Sequence, residues 1–302
     1  MRLFVFGNGY SASAYVDRVK REDVVGVTVR SSEKAEALAA SGLPALVFDG
    51  ERFSPEVARV LGGATHLLVS VPPGHAAPPE ARVGGANAPD GDPVLKLFGE
   101  TLLNEAPHLE WIGYLSTVGV YGDHDGAWID EETPTAPQSA RSKARVSAED
   151  GWRELAARRG VPLSILRLSG IYGPGRNAFE SLRTGKAKRL IKPGQVFNRI
   201  HVADIAGSLE LLAERRCDGI YNVTDDEPAP PQDVVTHAAR LMGVEPPPET
   251  RFEEADLSPM ARSFYGENKR VSNAKIKAEG YAFRYPTYRE ALEAMRPEGR
   301  DG

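Results

Sequence analysis

A repeating beat of short apolar runs and helical stretches limits what this chain can fold into more than any other feature. RLFVFG (2–7), VVGVTVR (24–30), ALVFDG (45–50) and HLLVSV (66–71) read as strands. SASAYVDRVKRE (11–22), SSEKAEALAAS (31–41) and SPEVARVLGG (54–63) read as the helices between them, the last opened by a serine cap and a first-turn proline. The strand runs do not alternate apolar with polar residues. Strands buried on both faces have that pattern, and with intervening helices they form a parallel sheet covered on both sides. The beat continues through KLFGETLLNEA (96–106), WIGYLSTVGVYG (111–122), KARVSAEDGWRELAARRG (143–160) and PLSILRLSG (162–170). It then loosens. DIAGSLELLAERR (204–216) is a helix, GIYNVTD (219–225) a late strand, and the tail from 226 holds helices separated by proline clusters. The expected fold is therefore α/β, a doubly wound parallel sheet with a smaller C-terminal substrate lobe. Residues 1–173, with 201–225 returning to them, form the sheet domain, and 174–302 are mainly lobe. The segment 72–93 has no periodicity and is long for a connection, so it is expected as a lid or as slack chain.

The first strand ends in Gly7-Asn8-Gly9-Tyr10-Ser11-Ala12, which fits G-x-G-x-x-G/A. The first glycine permits a tight turn, the second lets backbone approach a pyrophosphate, and the small third residue lets helix and strand pack closely. The motif follows a strand, opens a helix and starts a βαβ series, the context in which it binds a dinucleotide. The second strand selects the cofactor. An Asp or Glu at its end would hold a ribose 2′-hydroxyl, but here it ends in Arg30, followed by Ser31 and Lys34. A guanidinium and hydroxyls bind a 2′-phosphate that a carboxylate would repel, so NADP(H) is favoured over NAD(H). Asp49 and Gly50, at the third strand's end, fall where the adenine passes, and Ser70, Val71 and Pro72, after the fourth, complete the expected cofactor set.

The bulk numbers narrow the alternatives. A net charge of -5 argues against bulk nucleic-acid binding, which needs a basic face. One cysteine, Cys217, allows neither an internal disulfide nor a cysteine-rich zinc site, and the six histidines show no metal-ligand spacing, so no metal is expected. No run approaches the ~20 apolar residues of a spanning helix and no signal peptide is evident, so a cytoplasmic protein without membrane association is expected. No G-x-S-x-G hydrolase elbow occurs.

Together these segments resemble the extended short-chain dehydrogenase/reductase family, the NAD-dependent epimerase/dehydratase group. STVGVYG (116–122), RLSGIYGPGR (167–176), RIHVADIA (199–206), YNVTDDEP (221–228) and NKRVSNAKIK (268–277) are similar, in order, to that family's segments. The resemblance implies that Thr117 holds the position of the catalytic Ser/Thr and that Lys143 bonds the nicotinamide ribose. It also implies a tyrosine four residues before that lysine. The residue there is Ser139. In the intact pattern the lysine cation and the oxidised nicotinamide bring a phenol into range for proton exchange. A serine hydroxyl is far less acidic and cannot replace it alone. The chain thus looks like an atypical member with its cofactor site intact and its proton relay altered. Tyr121, His124 and Tyr172 are the candidate replacement acids, each with a plainer reading as a packed or solvated side chain.

Two departures bear on substrate. Gly170 stands where nucleotide-sugar members carry asparagine, and Phe197 where they carry arginine, which puts a nucleotide sugar in doubt. Arg262 and Lys192 offer charge to another anion, and Tyr265 and Asn268 are further cleft candidates. Two functions stay open: an NADP(H)-dependent oxidoreductase or epimerase/dehydratase-like enzyme acting on a small polar metabolite, or a catalytically silent NADP(H) sensor. The resemblance also carries a homodimer made through the helices of 96–106 and 143–160 as an expectation.

Overall fold

The structure, a computed structural model, describes residues 1–74, 91–258 and 262–296. Most of the expected lid at 72–93 lies outside the described residues. By internal packing the chain falls into two compact units, one made of 1–120, 135–167 and 205–221, the other of 121–134, 168–204 and 222–302.

The first unit is built on seven strands: β1 (Leu3–Phe6), β2 (Val24–Val29), β3 (Ala45–Val47), β4 (His66–Val69), β5 (Trp111–Thr117), β7 (Leu163–Leu168) and β11 (Gly219–Val223). Their order is β11-β7-β5-β4-β1-β2-β3. β1 runs parallel to β2 and β4, β2 to β3, and β4 to β5. The order reverses direction at β1 and β4, which makes the sheet doubly wound and opens a crevice at their carboxyl ends. Helices α1 (Tyr10–Val16), α2 (Ser32–Ala40), α3 (Pro55–Leu61), α4 (Pro93–Asn104), α5 (Ala140–Arg159) and α7 (Val202–Arg215) cover it.

Burial explains why the strand runs could be read. β1 and β4 are buried throughout, so each face of the sheet must be covered by helix. On one face Phe4, Phe6, Phe48 and Phe98 meet at ring distances of 5.0–5.4 Å and pack with Val57 and Leu61 of α3 and Trp152 of α5. Asp92 caps α4 by accepting from the N–H groups of Val94 (2.9 Å) and Leu95 (3.1 Å), while its other oxygen takes the Trp152 indole N–H at 3.0 Å, fixing α4 to α5. On the other face the turn after α1 meets α7 through the Arg18–Glu210 ion pair. Inside the unit lies a buried ion pair. Arg167 donates to Glu149 (2.7 and 3.2 Å), and Ser116 of β5 donates to the same carboxylate at 2.5 Å.

The second unit contains three short parallel ribbons: β8 (Gly170–Tyr172) with β10 (Arg199–His201), β9 (Arg189–Ile191) with β12 (Glu249–Arg251), and β6 (Trp128–Ile129) with β13 (Arg270–Val271). Helices α6 (Ala178–Arg183), α8 (Pro231–Met242) and Tyr288–Ala294 close over Phe179, Ala229, Ala238 and Leu292. Asp204 ties the C-terminal segment down, accepting from Tyr281 Oη (2.9 Å), Arg284 N (2.6 Å) and Tyr285 N (3.1 Å). Among the described residues no helix is long and apolar enough to cross a membrane.

Candidate functional site

The turn after β1 can be made only with glycine at its first position. Gly7 has φ +88°, and a Cβ there would come within 2.9 Å of Val71 Cγ2. Its N–H donates to Thr28 Oγ1 and that of Asn8 to Thr28 O, both at 2.8 Å, which stitches the turn to β2. Gly9 is different. A Cβ there would meet nothing within 4 Å, and Gly9 caps α1 without a side-chain acceptor. Its missing side chain leaves open space rather than relieving a clash. Beside it Asn8 is buried, with Oδ1 unpartnered among the described residues. A buried acceptor left this way fits a donor such as a ribose hydroxyl or a bound water.

That space belongs to a cavity of about 1000 Å³ at the carboxyl edge of the sheet. Gly7, Asn8 and Gly9 form its floor, Arg30, Ser31 and Lys34 one side, Asp49 and Gly50 an end, and Ser70, Val71 and Pro72 the β4 margin. Lys34 Nζ donates to Asn8 O at 3.3 Å. Ser31 Oγ accepts from Lys34 N at 3.4 Å, capping α2, and keeps its own proton to donate. Asp49 accepts from the N–H groups of Glu51 (2.8 Å) and Arg52 (3.3 Å), so one of its oxygens is occupied in the turn. Of the remaining expected cofactor residues, Tyr10 and Ser11 form the first turn of α1 behind the floor, and Lys143 is exposed and is not among the lining residues.

The cavity also has a wall that sequence reading missed, Arg141 and Arg145 of α5. Arg145 Nη1 donates to Leu115 O (2.6 Å) and Tyr114 Oη (3.1 Å), with its guanidinium 5.6 Å from the Tyr114 ring centroid. The four-residue spacing that puts both on one helix face was visible in the sequence. The family spacing drew attention to Lys143 instead.

At the end of β5, Thr117 is half-buried and its Oγ1 accepts from Gly119 N at 3.1 Å. A Cβ on Gly119 would lie 3.1 Å from Ser142 Oγ and 3.4 Å from Thr117 Oγ1, so those hydroxyls flank the same glycine. Ser139 is the N-cap of α5. Its Oγ accepts from Ser142 N at 3.1 Å and lies 3.0 Å from Ser142 Oγ.

The other candidates lie in the second unit. Tyr121 is buried and its Oη donates to Asn222 Oδ1 at 2.8 Å. His124 Nε2 meets Tyr121 O at 3.1 Å. Tyr172 packs edge-on to His201 at 5.3 Å, and its buried hydroxyl has no described partner. Burial, reinforced by Asp225 and Asp204, pushes this phenol well above its ordinary range, the wrong direction for a neutral-pH acid. Burial, with Arg284, lowers His201 to about 4. Arg262 and Lys192 stand over the Phe252 ring at 5.1 and 5.4 Å, Tyr265 packs on Phe252 at 4.9 Å, and Lys192 donates to Tyr265 O. The structure therefore brings Lys192, Tyr265 and Arg262 into one aromatic-cationic cluster. Asn268 Oδ1 instead accepts from Val196 N at 3.1 Å. No metal-binding group of His, Cys, Asp and Glu occurs among the described residues.

Residues 100–224 match the sequence model of the NAD dependent epimerase/dehydratase family. A functionally unknown conserved protein from Silicibacter pomeroyi DSS is 44% identical, with 97% of each chain covered and a TM-score of 0.80. Protein YeeZ of Escherichia coli K12 is 31% identical over 197 residues, 64% of each chain, so the chain spans just under two-thirds of the length of that curated relative. A 3-diazoavenalumate denitrifying reductase from a Streptomyces species is 30% identical over 179 residues, 54% of this chain and 58% of that protein.

Proposed function

From the match of residues 100–224 to the NAD dependent epimerase/dehydratase family, we propose that the chain is an NADP(H)-dependent oxidoreductase, or an epimerase or dehydratase using the same cofactor, that acts on a small polar metabolite. The observation that carries this reading is the cavity at the β1–β4 crevice, with glycine backbone for its floor and Arg30, Ser31 and Lys34 at the end of β2. When bound, the nicotinamide supplies or accepts hydride. The protein's part is to hold and orient. Gly9 admits the diphosphate against backbone, and Arg30, Ser31 and Lys34 pair with the 2′-phosphate. Thr117 accepts from a backbone N–H and so keeps its own proton to donate to a substrate oxygen. The family resemblance assigns Lys143 to the nicotinamide ribose, although the residue is exposed and outside the lining of the cavity, and Ser139 is a helix cap rather than an acid. Arg262 and Lys192 supply charge for an anionic substrate. A cytoplasmic homodimer through α4 and α5 completes the proposal, and light scattering and cell fractionation test those two points.

Calorimetric titration with NADPH and NADH tests the central claim. Tighter binding of NADPH, with the difference narrowed in Arg30→Ala, is the expected result. Equal affinities remove the NADP(H) preference, and failure to bind either removes the whole reading. Ser139's capping bonds favour one second reading, a cofactor sensor without turnover. Loss of NADPH fluorescence against a panel of small carbonyl compounds separates the two.

A further inference from the structure

We infer that Arg141 and Arg145 form a second cationic wall of the dinucleotide cavity and hold the ligand's diphosphate from the sheet face opposite α1 and α2. The inference rests on the reading that this cavity takes a nicotinamide dinucleotide. Right-handed crossovers put α1 and α2 on one face of the sheet. α5 lies on the other, sharing a core with α3 and α4. Both faces contribute cations at the same crevice, Arg30 and Lys34 from one and Arg141 and Arg145 from the other.

Position along the sheet edge says which anion each wall meets. Arg145 is tied to Leu115 O on β5, whereas Arg30 follows β2. In the order β5-β4-β1-β2 these strands are three spacings apart, about 14 Å at ordinary strand separation. One phosphate cannot span that distance. A ligand with separated anionic groups can: the glycine turn after β1 lies between the two walls, and with Arg30 on the β2 side pairing with the 2′-phosphate, the α5 wall is left for the diphosphate.

Arg145 is also prepared for such a ligand. Its bonds to Leu115 O and Tyr114 Oη both come from Nη1, so Nε and Nη2 have no acceptor among the described residues. A guanidinium held in place with donors to spare loses little freedom on binding. Asp92 lies close enough to feel its charge, but both Asp92 oxygens are engaged by Val94, Leu95 and Trp152. Among the described residues no ion pair within 4 Å involves Arg141 or Arg145. Lys143, two positions from each, is turned about 200° around the helix and is not part of this wall.

The test is calorimetry on the full chain with NADPH and with two fragments. ADP-ribose carries the diphosphate without the 2′-phosphate, and adenosine 2′-monophosphate carries the reverse. Arg145→Gln is expected to weaken NADPH and ADP-ribose roughly ten- to hundredfold, as for a lost charged hydrogen bond, and to leave adenosine 2′-monophosphate unchanged. Arg30→Ala is expected to do the opposite. Arg145 is tethered to the sheet, so Arg141→Gln, at an exposed position, gives the same reading without threatening the fold. If wild-type protein binds ADP-ribose and both α5 variants bind it equally well, the second wall is refuted while the cofactor reading stands. If wild-type protein binds none of the three ligands, the cofactor reading falls and takes this inference with it.

Discussion

Replacing Asp225 with asparagine should change how the stability of this protein depends on pH. Asp225 is 1% exposed. One oxygen accepts from Glu227 N at 3.2 Å, and the other is buried with no described partner. Arg199 is close enough to favour the carboxylate, but its Nη1 donates to the carbonyls of Phe197 (2.9 Å) and Ala229 (3.0 Å) rather than to Asp225. Burial therefore outweighs Arg199 and raises the Asp225 pKa from 3.8 to about 8. A carboxyl raised in the folded state binds more protons there than in the unfolded chain. Stability is then lost as pH rises from about 4 to about 8 and levels off above that. At about 1.4 kcal/mol per pKa unit, the penalty by pH 8 is on the order of 5 kcal/mol. Asparagine keeps the shape and carries no charge, so Asp225→Asn should escape the penalty. Urea unfolding of both proteins at several pH values between 5 and 8 measures it. The difference between them cancels every other titrating group, and the variant should gain on the wild type as pH rises. A difference that stays flat across that range would refute the reasoning, because the buried carboxyl would then be ionised throughout.

Two other substitutions test the first unit. Glu149→Ala removes the carboxylate that faces Arg167 and Ser116 in the interior and should cost roughly 3–5 kcal/mol in denaturant unfolding. Ser139→Ala should cost about 1 kcal/mol as a lost helix cap, while leaving cofactor affinity unchanged and any turnover within about tenfold; a loss of ~10²–10⁴ would instead make the serine a general acid.

The parallel core was legible because its strands are buried on both faces and so lack polar positions. Phe4 to Phe6 and His66 to Val69 leave no residue exposed. The ribbons of the second unit were not legible. Strands of two or three residues, such as Arg270–Val271 against Trp128–Ile129, are too short to show any period and exist only through their partners. Helix edges moved for local reasons. The helix expected over 143–160 begins at Ala140 because Ser139 caps it, and the one expected over 11–22 stops at Val16, with Asp17 capping onto the carbonyls of Ser13 and Tyr15. At the site, the glycine turn and the end of β2 could be read because each follows its strand directly. Arg141 and Arg145 reach the same cavity from about a hundred residues away, through a packing of α5 that no local pattern encodes.

The end of β2 also differs from the glycine turn in how freely it can change. Gly7 is locked by its backbone and by Val71, so that position of the turn admits almost no variation. Arg30 and Lys34 are exposed, and substitutions at such positions usually move stability by no more than about 0.5 kcal/mol, while replacing the exposed α2 cap Ser31 costs about 1 kcal/mol. On the proposed reading, coenzyme choice is a trait that selection, or an engineer, can retune at the surface of this scaffold without first strengthening its core.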